Sequence, residues 1–186
     1  MLSLSEPVTL YHGSSVAVEH PDLDCCRPRK DFGRGFYLTS SREQAQSFAR
    51  TVTRRENRRH PNSTQGYGML STYSFMPDNR LVTKVFPTAN VDWLHCVAAH
   101  RGASSFDTFL DEYHNYDIIA GKVANDQTNA TLLAYIGGLY GTPGNSEADE
   151  ICVRLLMPER LDDQACFRTN RSLGCLSFIK SERVWL

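Results

Sequence analysis

The stretch that limits the fold most is 35–55, where a short strand leads directly into an amphipathic helix. The segment 35–39 alternates in the manner of a strand end. Ser40, followed by Glu43 three residues later, predicts a capping box at a helix start. Four apolar residues then recur at helical spacing: Ala45, Phe48, Ala49 and Val52. We therefore expect a helix from about Ser41 to near Arg55.

Short strands and helices alternate irregularly over the rest of the chain. Strands are predicted at 8–12, 67–76, 81–86, 116–123, 164–168 and 176–179. Helical spacing is found at 93–98, 131–140 and 170–175, whereas 150–156 fits either a helix or a strand. The turn sequence PDNR at 77–80 predicts a hairpin between its two flanking strands. This grouping is typical of an α+β fold, because a parallel sheet would alternate strands and helices regularly.

Composition places the chain among ordinary soluble domains. Its 186 residues fit one domain, 1–186, and the net charge of −1 argues against binding nucleic acid over the whole surface. The six cysteines form no CxxC pair and no metal-ligand spacing, which favours a reducing compartment. The first residues lack the pattern of an export signal, and no later run is long and apolar enough to span a membrane. We therefore expect a cytoplasmic protein without membrane contact.

Two segments at predicted strand ends carry residues suited to hold a nucleotide. His12 offers a ring nitrogen to a sugar hydroxyl, and Gly13, having no Cβ, lets a ligand approach the main chain. Tyr37 and Phe48 are aromatic residues able to flank a flat heterocycle. A His before a Gly is more often a turn residue, and each aromatic alone is more often a core residue. Their order along the chain gives the combination its weight.

These segments resemble a known enzyme family. HGS at 12–14, FGRGFY at 32–37 and the helix that follows are similar to the diphtheria-toxin-like, poly-ADP-ribose-polymerase-type ADP-ribosyltransferases. Their motif order is His, Tyr, then Glu or a substitute. The whole chain resembles more closely a bacterial domain-of-unknown-function family of that fold, including YDIIAGKVAND at 116–126 and DQACFRTNRSLGCLSFI at 163–179. The resemblance implies two small, mostly antiparallel sheets around an NAD cleft, with helices outside.

The resemblance also implies roles for individual residues. His12 would bind the adenosine-side ribose of NAD, Gly13 the nicotinamide carboxamide, and Tyr37 would stack on the nicotinamide ring. Phe48 falls where the polymerases have a second stacking aromatic, and Ala45 where they have a serine that holds the carboxamide. The implied cofactor-binding residues are His12, Gly13, Ser14, Gly35, Phe36, Tyr37 and Phe48. The motif contains no metal ligand.

Gln164 stands where the family has its catalytic Glu, so the implied catalytic residues are His12, Tyr37 and Gln164. An amide oxygen still accepts a hydrogen bond from a ribose hydroxyl, but it brings no negative charge to the cation that forms as nicotinamide leaves. A single transfer is therefore expected, rather than elongation to poly-ADP-ribose. Three carboxylates are candidates to assist it: Asp126, Glu150 and Asp163.

The expected function is mono-ADP-ribosyl transfer from NAD to a macromolecular acceptor, with a protein acceptor favoured over nucleic acid. The resemblance also suggests a toxin that is encoded beside a small neutralising protein. Two alternatives stay open at this point. The first is a weak or inactive module that binds NAD, ADP-ribose or a protein partner. The second is a transferase that acts on nucleic acid.

Three further segments have ordinary explanations that we weigh against functional ones. Arg50, Arg54 and Arg58 share one helix face, beside Arg55 and Arg59, and form either a solvated surface or a stripe that binds phosphates. WLHCVAAH at 93–100 lacks a second ligand pair, which makes a zinc site improbable. Asp126 fits a helix cap better than a catalytic role.

Overall fold

The structure of the protein, a computed structural model, describes residues 2–124, 126–157 and 161–186, with the side chains of 104, 126 and 127 not described. The strands are β1 (Val8–Ser14), β2 (Phe36–Leu38), β3 (Tyr67–Phe75), β4 (Thr83–Val85), β5 (Ile118–Lys122), β6 (Asp163–Phe167) and β7 (Leu176–Trp185). The helices are α1 (Arg42–Arg59), α2 (Val91–His100), α3 (Asp107–Tyr113), α4 (Asp126–Ile136), α5 (Ser146–Leu156) and α6 (Asn170–Leu173), with a 3₁₀ turn at Ser104–Phe106. The expected α+β class with two small sheets is confirmed.

The first sheet is antiparallel and has the strand order β1-β3-β7. His12 lies opposite Ser71 of β3, and Gly13 lies opposite Leu70. The ladder between β3 and β7 shifts register between Thr72 and Tyr73, which is where a β-bulge changes the twist of a strand. In the described chain, β1 and β7 are the two edges of this sheet.

The second sheet has the order β2-β6-β5-β4, and only its β4–β5 pair is parallel. The hairpin predicted around the 77–80 turn is therefore wrong, because β3 belongs to the first sheet and β4 to the second. Asp78 caps the turn by accepting from the main-chain N–H and the guanidinium of Arg80. The chain then crosses between the sheets, and Thr83 of β4 lies beside Ile118. Turn chemistry predicted the turn correctly, but not which strand its second arm would join.

Helix α1 covers the outer face of the first sheet, and its N-cap lies one residue later than predicted. Its N-cap is Ser41, whose hydroxyl accepts from the main-chain N–H of Gln44, so the assignment of the cap to Ser40 is wrong. The main chain of Thr39 is bonded to Tyr11 of β1, and the Thr39 hydroxyl accepts from the N–H of Ser41. The chain consequently stays extended through Ser40 before the helix starts.

The remaining boundaries follow the predictions with some shifts. The ambiguous 150–156 segment is the end of helix α5, and β7 extends well beyond the predicted 176–179. Helix α4 begins and ends earlier than the predicted 131–140, because a left-handed Gly138 follows its end. Among the described residues, no helix combines the length and the apolar composition that crossing a membrane requires.

The core has two main parts, one on each face of the second sheet. Between the sheets, Leu10 and Tyr73 of the first pack against Phe36, Ile118 and Phe167 of the second. On the far face of the second sheet, an aromatic and aliphatic cluster gathers beneath α2 and its neighbouring helices around Trp93. The layers are thus α1, first sheet, second sheet and remaining helices. A bridge between Tyr11 and Thr39 joins the sheets where β1 and β2 meet.

Candidate functional site

His12 lies on β1 at the junction of the two sheets. Its Nδ1 is 2.8 Å from the main-chain oxygen of Tyr37, and its ring packs on Phe36 with the centroids 4.4 Å apart. A carbonyl oxygen only accepts, so Nδ1 carries the proton and donates. Burial lowers the pKa of His12, and the bond to the Tyr37 carbonyl offsets part of that shift. The ring is therefore neutral at pH 7, and Nε2 is an acceptor.

Gly13 directs its main-chain groups away from the first sheet. Tyr11, two residues earlier, uses its N–H and C=O to bond Thr39 on the side of β1 opposite β3. Because alternate residues of an antiparallel strand point their polar groups to the same side, Gly13 faces that outer edge as well. Among the described residues, none outside the sheet forms a main-chain hydrogen bond with Gly13. Its N–H and C=O are placed to bond an amide, as an added strand would.

Phe48 lies on the flank of α1 that faces this edge. Two residues along an α-helix are about 200° apart, so Phe48 and Arg50 occupy opposite flanks. The Arg50 Nε donates to the main-chain oxygen of Trp185 on β7, at 2.9 Å, which turns that flank towards β7. In the order β1-β3-β7, the other flank faces the open edge of β1. Phe48 is 50% exposed there, whereas Ala45 and Ala49 of the same helix are buried.

Tyr37 lies on the adjacent strand β2, and its side chain is partly buried. Its hydroxyl donates to the main-chain oxygen of Gly33 and accepts from the N–H of Phe32, both at 2.9 Å. The ring packs against the cluster beneath α2, and burial raises the pKa of the hydroxyl. Through these two bonds Tyr37 fastens the 31–35 loop to β2, while part of its side chain stays exposed.

The other three implied cofactor residues surround this junction in different ways. Phe36 is buried between the sheets, where it supports the His12 ring. A Cβ on Gly35 would lie 2.4 Å from the Cys166 Sγ, so a glycine lets the loop pass closely over β6. Ser14 ends β1, with its hydroxyl 3.5 Å from the main-chain N of Val16. Gly35 and Phe36 therefore act in packing, and only Ser14 is free to face a ligand.

Gln164 opens β6 and is joined to a buried carboxylate that the sequence did not reveal. Its Nε2 donates to Asp31 Oδ2 at 2.7 Å, and both residues are more than 90% buried. Asp31 Oδ1 accepts from the Nη2 of Arg101 at 2.6 Å and from its Nε at 3.1 Å. Asp31 lies 133 positions from Gln164 and 70 from Arg101, and no local pattern signals such contacts.

The carboxylates considered as helpers are dispersed. Asp163 Oδ1 forms an ion pair with the Lys122 Nζ, at 3.0 Å. Glu150 is exposed on α5, a helix that packs on α2 and α4. Asp126 is the first residue of α4, and its side chain lies outside the described residues. Among the described side chains, Asp31 is the carboxylate in contact with Gln164.

The arginines of α1 do not act as one stripe. Arg50 bonds Trp185, Arg59 forms an ion pair with Glu56, and Arg54 and Arg58 are exposed on the outer side. Arg55 follows Phe48 by seven residues and so shares its flank. Its Nε is buried without a hydrogen-bond partner among the described residues. Burial lowers the pKa of Lys30, and the nearby positive charge of Arg55 lowers it further.

Two surface depressions lie away from this junction. One, of 610 Å³, is next to Tyr73 and Phe178, and the other, of 350 Å³, is next to Thr53 and His60. Neither is lined by His12, Tyr37 or Gln164. Both depressions are therefore separate from the junction.

The chain belongs to the family described as protein of unknown function (DUF3990), whose model matches residues 8–178. That match includes every residue of the junction described above, from His12 to Gln164. No curated protein and no solved structure matches the chain significantly. The function must therefore be argued from the residues themselves.

Proposed function

We propose that the protein is a mono-ADP-ribosyltransferase with an ADP-ribosyltransferase fold, which cleaves NAD and transfers ADP-ribose to a macromolecular acceptor. The observation that carries this proposal is the hydrogen bond between His12 Nδ1 and the Tyr37 main chain. It joins two motif residues 25 positions apart and fixes the proton on Nδ1. Nε2 is then an acceptor suited to a ribose hydroxyl.

The nicotinamide end of NAD would bind at the open edge of β1. The N–H and C=O of Gly13 match the two polar groups of a carboxamide, which accepts through its oxygen and donates through its NH₂. Phe48, exposed on the facing flank of α1, offers a ring for stacking, a contact that contributes about 0.5–1.5 kcal/mol beyond burial. Ala45 beside them has no hydroxyl, so the carboxamide is held by main-chain groups without a serine.

The chemical step breaks the bond between the nicotinamide nitrogen and C1 of the ribose. The bonding electron pair leaves with nicotinamide, which becomes neutral, and positive charge develops on the ribose. An acceptor nucleophile then attacks C1 and loses a proton, giving ADP-ribosyl-acceptor, nicotinamide and H⁺. The Gln164 Oε1 would accept a hydrogen bond from a hydroxyl of this ribose and so hold it in place for the reaction.

The absence of a carboxylate at position 164 limits this activity. Preorganised charge opposite the developing cation is commonly the largest contribution to catalysis, and a neutral amide supplies only a dipole. We therefore expect slow, single transfers rather than chain elongation. A protein acceptor is favoured over nucleic acid because the net charge is −1 and the α1 arginines point in several directions.

The test is the release of nicotinamide from NAD by the purified protein, alone and with a cell lysate as the source of acceptor. Phe48→Ala is the informative variant, because the side chain is half exposed and its loss costs little stability. Loss of one stacking contact should lower kcat/KM by about tenfold. Leu133→Ala, which also removes an exposed apolar side chain from a helix, is the matched control and should leave kcat/KM unchanged.

Each outcome decides between the candidate functions. Nicotinamide release that needs Phe48 and increases with lysate supports the transferase. Binding of NAD without any release contradicts it and indicates a module that only binds NAD. If NAD does not bind, the junction of His12, Gly13 and Phe48 serves only the fold. Label from NAD that appears in the nucleic-acid fraction would support a transferase with a different acceptor.

A further inference from the structure

The buried contact between Gln164 and Asp31 concerns a residue outside the resemblance motif. Asp31 precedes the FGRGFY segment and is 7% exposed. Its Oδ1 accepts twice from Arg101, while its Oδ2 accepts from the main-chain N–H of Ala124, at 3.0 Å, and from Gln164. Arg101 is itself held by the Oδ1 of Asn129, at 2.6 Å. Asp31 therefore has four donors and no need of a ligand.

This arrangement permits one orientation of the Gln164 amide. Its Nε2 faces two acceptors, the Asp31 carboxylate at 2.7 Å and the main-chain oxygen of Lys122 at 3.5 Å. Exchanging the amide oxygen and nitrogen would bring an oxygen against both acceptors and lose these bonds. The chemistry of the partners thus fixes which end of the amide is the nitrogen.

With Nε2 bonded to Asp31, Oε1 is the atom of the Gln164 amide that can accept a hydrogen bond from a ligand. Among the described residues, none donates a hydrogen bond to Oε1. The atom is also not fully buried, because it keeps some contact with solvent. Oε1 is therefore open to a hydroxyl that donates to it. Donation from Nε2 to a carboxylate also polarises the amide and strengthens the acceptor at its other end.

We propose that Asp31 is a positioning residue, which holds and polarises the Gln164 amide so that Oε1 accepts from a substrate hydroxyl. The proposal rests on the proposed function for the identity of that hydroxyl, which belongs to the nicotinamide-side ribose. Arg101 forms an ion pair with Asp31, with its Nη2 2.6 Å from Oδ1, and so holds the carboxylate in place. The pair of Asp31 and Gln164 then does with two residues what the family resemblance assigns to one glutamate.

This arrangement also accounts for a glutamine at position 164. A glutamate there would place two carboxylates within hydrogen-bond distance of each other, and like charges so close do not both stay ionised. One of them would keep a proton at neutral pH. An amide avoids this repulsion and still offers an acceptor oxygen. Gln164 is therefore matched to Asp31 and is more than a weakened glutamate.

The first experiment uses the wild-type protein and measures the side-chain amide resonances of Gln164 by NMR. We expect at least one Nε2 proton to be shifted downfield and protected from solvent exchange. Resonances that exchange freely, at the position of a solvated amide, would overturn the proposal. This measurement needs no activity, so its result stands even if the protein does not cleave NAD.

The second experiment compares Asp31→Asn with Asp117→Asn in the nicotinamide-release assay. Asp117 is an equally buried carboxylate that bonds Val82 N and the Thr169 hydroxyl and does not touch Gln164, so it controls for lost stability. Misplacing Oε1 should lower kcat for Asp31→Asn by roughly a hundredfold, with KM little changed. The Asp117 variant should retain its kcat.

The outcomes separate this proposal from the proposed function. Equal effects of the two substitutions on kcat, or an effect of Asp31→Asn on KM alone, would overturn the positioning role. A wild type without nicotinamide release would contradict the transferase, and the NMR result then decides whether the amide is held as described. If Asp31→Asn fails to fold, the NMR measurement on the wild type decides alone.

Discussion

Gly13 is placed where a side chain would meet main chain rather than a flexible neighbour. A Cβ at this position would lie 2.0 Å from the oxygen of Ala45 and 2.9 Å from the nitrogen of Ala49. Gly68 on β3 is similar, with Ala49 O at 2.8 Å. The two glycines let α1 lie directly on the sheet. Gly13 is thus needed for packing, whether or not its main chain also binds an amide.

We expect Gly13→Ala to destabilise the protein, because α1 must shift away from β1 to admit the methyl group. Overpacking of this kind costs about 1–3 kcal/mol in the free energy of unfolding, measurable by urea denaturation. Gly66→Ala is the control, because a Cβ there meets nothing within 4 Å. Equal stability of the two variants would contradict the close contact between β1 and α1.

At the scale of one element, helix α1 has flanks of different character. One flank is tied to β7 through Arg50, and the other presents Phe48 and Arg55 to the edge of β1. Arg54, the neighbour of Arg55, points to solvent. The sequence showed five arginines near one another, but only the packing of α1 distinguishes the one that faces the junction.

The flanks predict different effects of two adjacent substitutions on phosphate binding. Arg55→Ala should weaken the binding of NAD by several-fold, because Arg55 has an unbonded buried Nε next to Lys30 and suits a pyrophosphate. Arg54→Ala should leave the affinity nearly unchanged, as expected for an exposed cation at physiological salt. Titration calorimetry with NAD measures both affinities.

Nicotinamide serves as the control ligand because it carries no phosphate. Its affinity should be the same in the wild type and in Arg55→Ala. Losses of equal size for both arginine variants would show a general effect of positive charge and contradict a local contact at Arg55.

At the scale of the whole molecule, the partly buried His12 and the buried His100 make stability depend on pH. Burial lowers the pKa of His12 and of His100 from the ordinary value of 6.5, and Arg168 lowers that of His100 further. Below pH 6.5 these two histidines are protonated in the unfolded chain but stay largely neutral in the folded chain. Stability is therefore complete above about pH 7 and declines as the pH falls. Asp117 and Glu182, whose pKa values are lowered, lose their contribution only in more acidic solution.

We expect the free energy of unfolding to be smaller at pH 5.5 than at pH 7.5, and this difference to shrink in His12→Gln. The reason is that glutamine removes one group whose protonation favours the unfolded chain. His60→Gln, at an exposed helix end, is the control and should keep the wild-type difference. Urea denaturation at both pH values provides the test, and an unchanged pH difference in His12→Gln would contradict it.

Local patterns predicted most elements, and long-range contacts decided the rest. The spacing of Ala45, Phe48 and Ala49 was enough to predict α1, because helical packing repeats within a few residues. The partner of β4 was mispredicted, since pairing with β5 depends on residues more than thirty positions away. The contact between Asp31 and Gln164 was missed for the same reason. His12 and Gly13 could be selected from their residue types at a strand end, whereas Gln164 came from the resemblance alone.

The two hydrogen bonds of the Tyr37 hydroxyl have a consequence for the speed of ligand entry. They fasten the loop that carries Asp31, and this loop lies over Gln164. A ligand that needs more room at Gln164 than a single hydroxyl must displace this loop, so for such a ligand opening precedes binding. The observed rate of association then stops rising with ligand concentration and levels off at the rate of opening. The bonds of the Tyr37 hydroxyl would thus set an upper limit on the turnover rate.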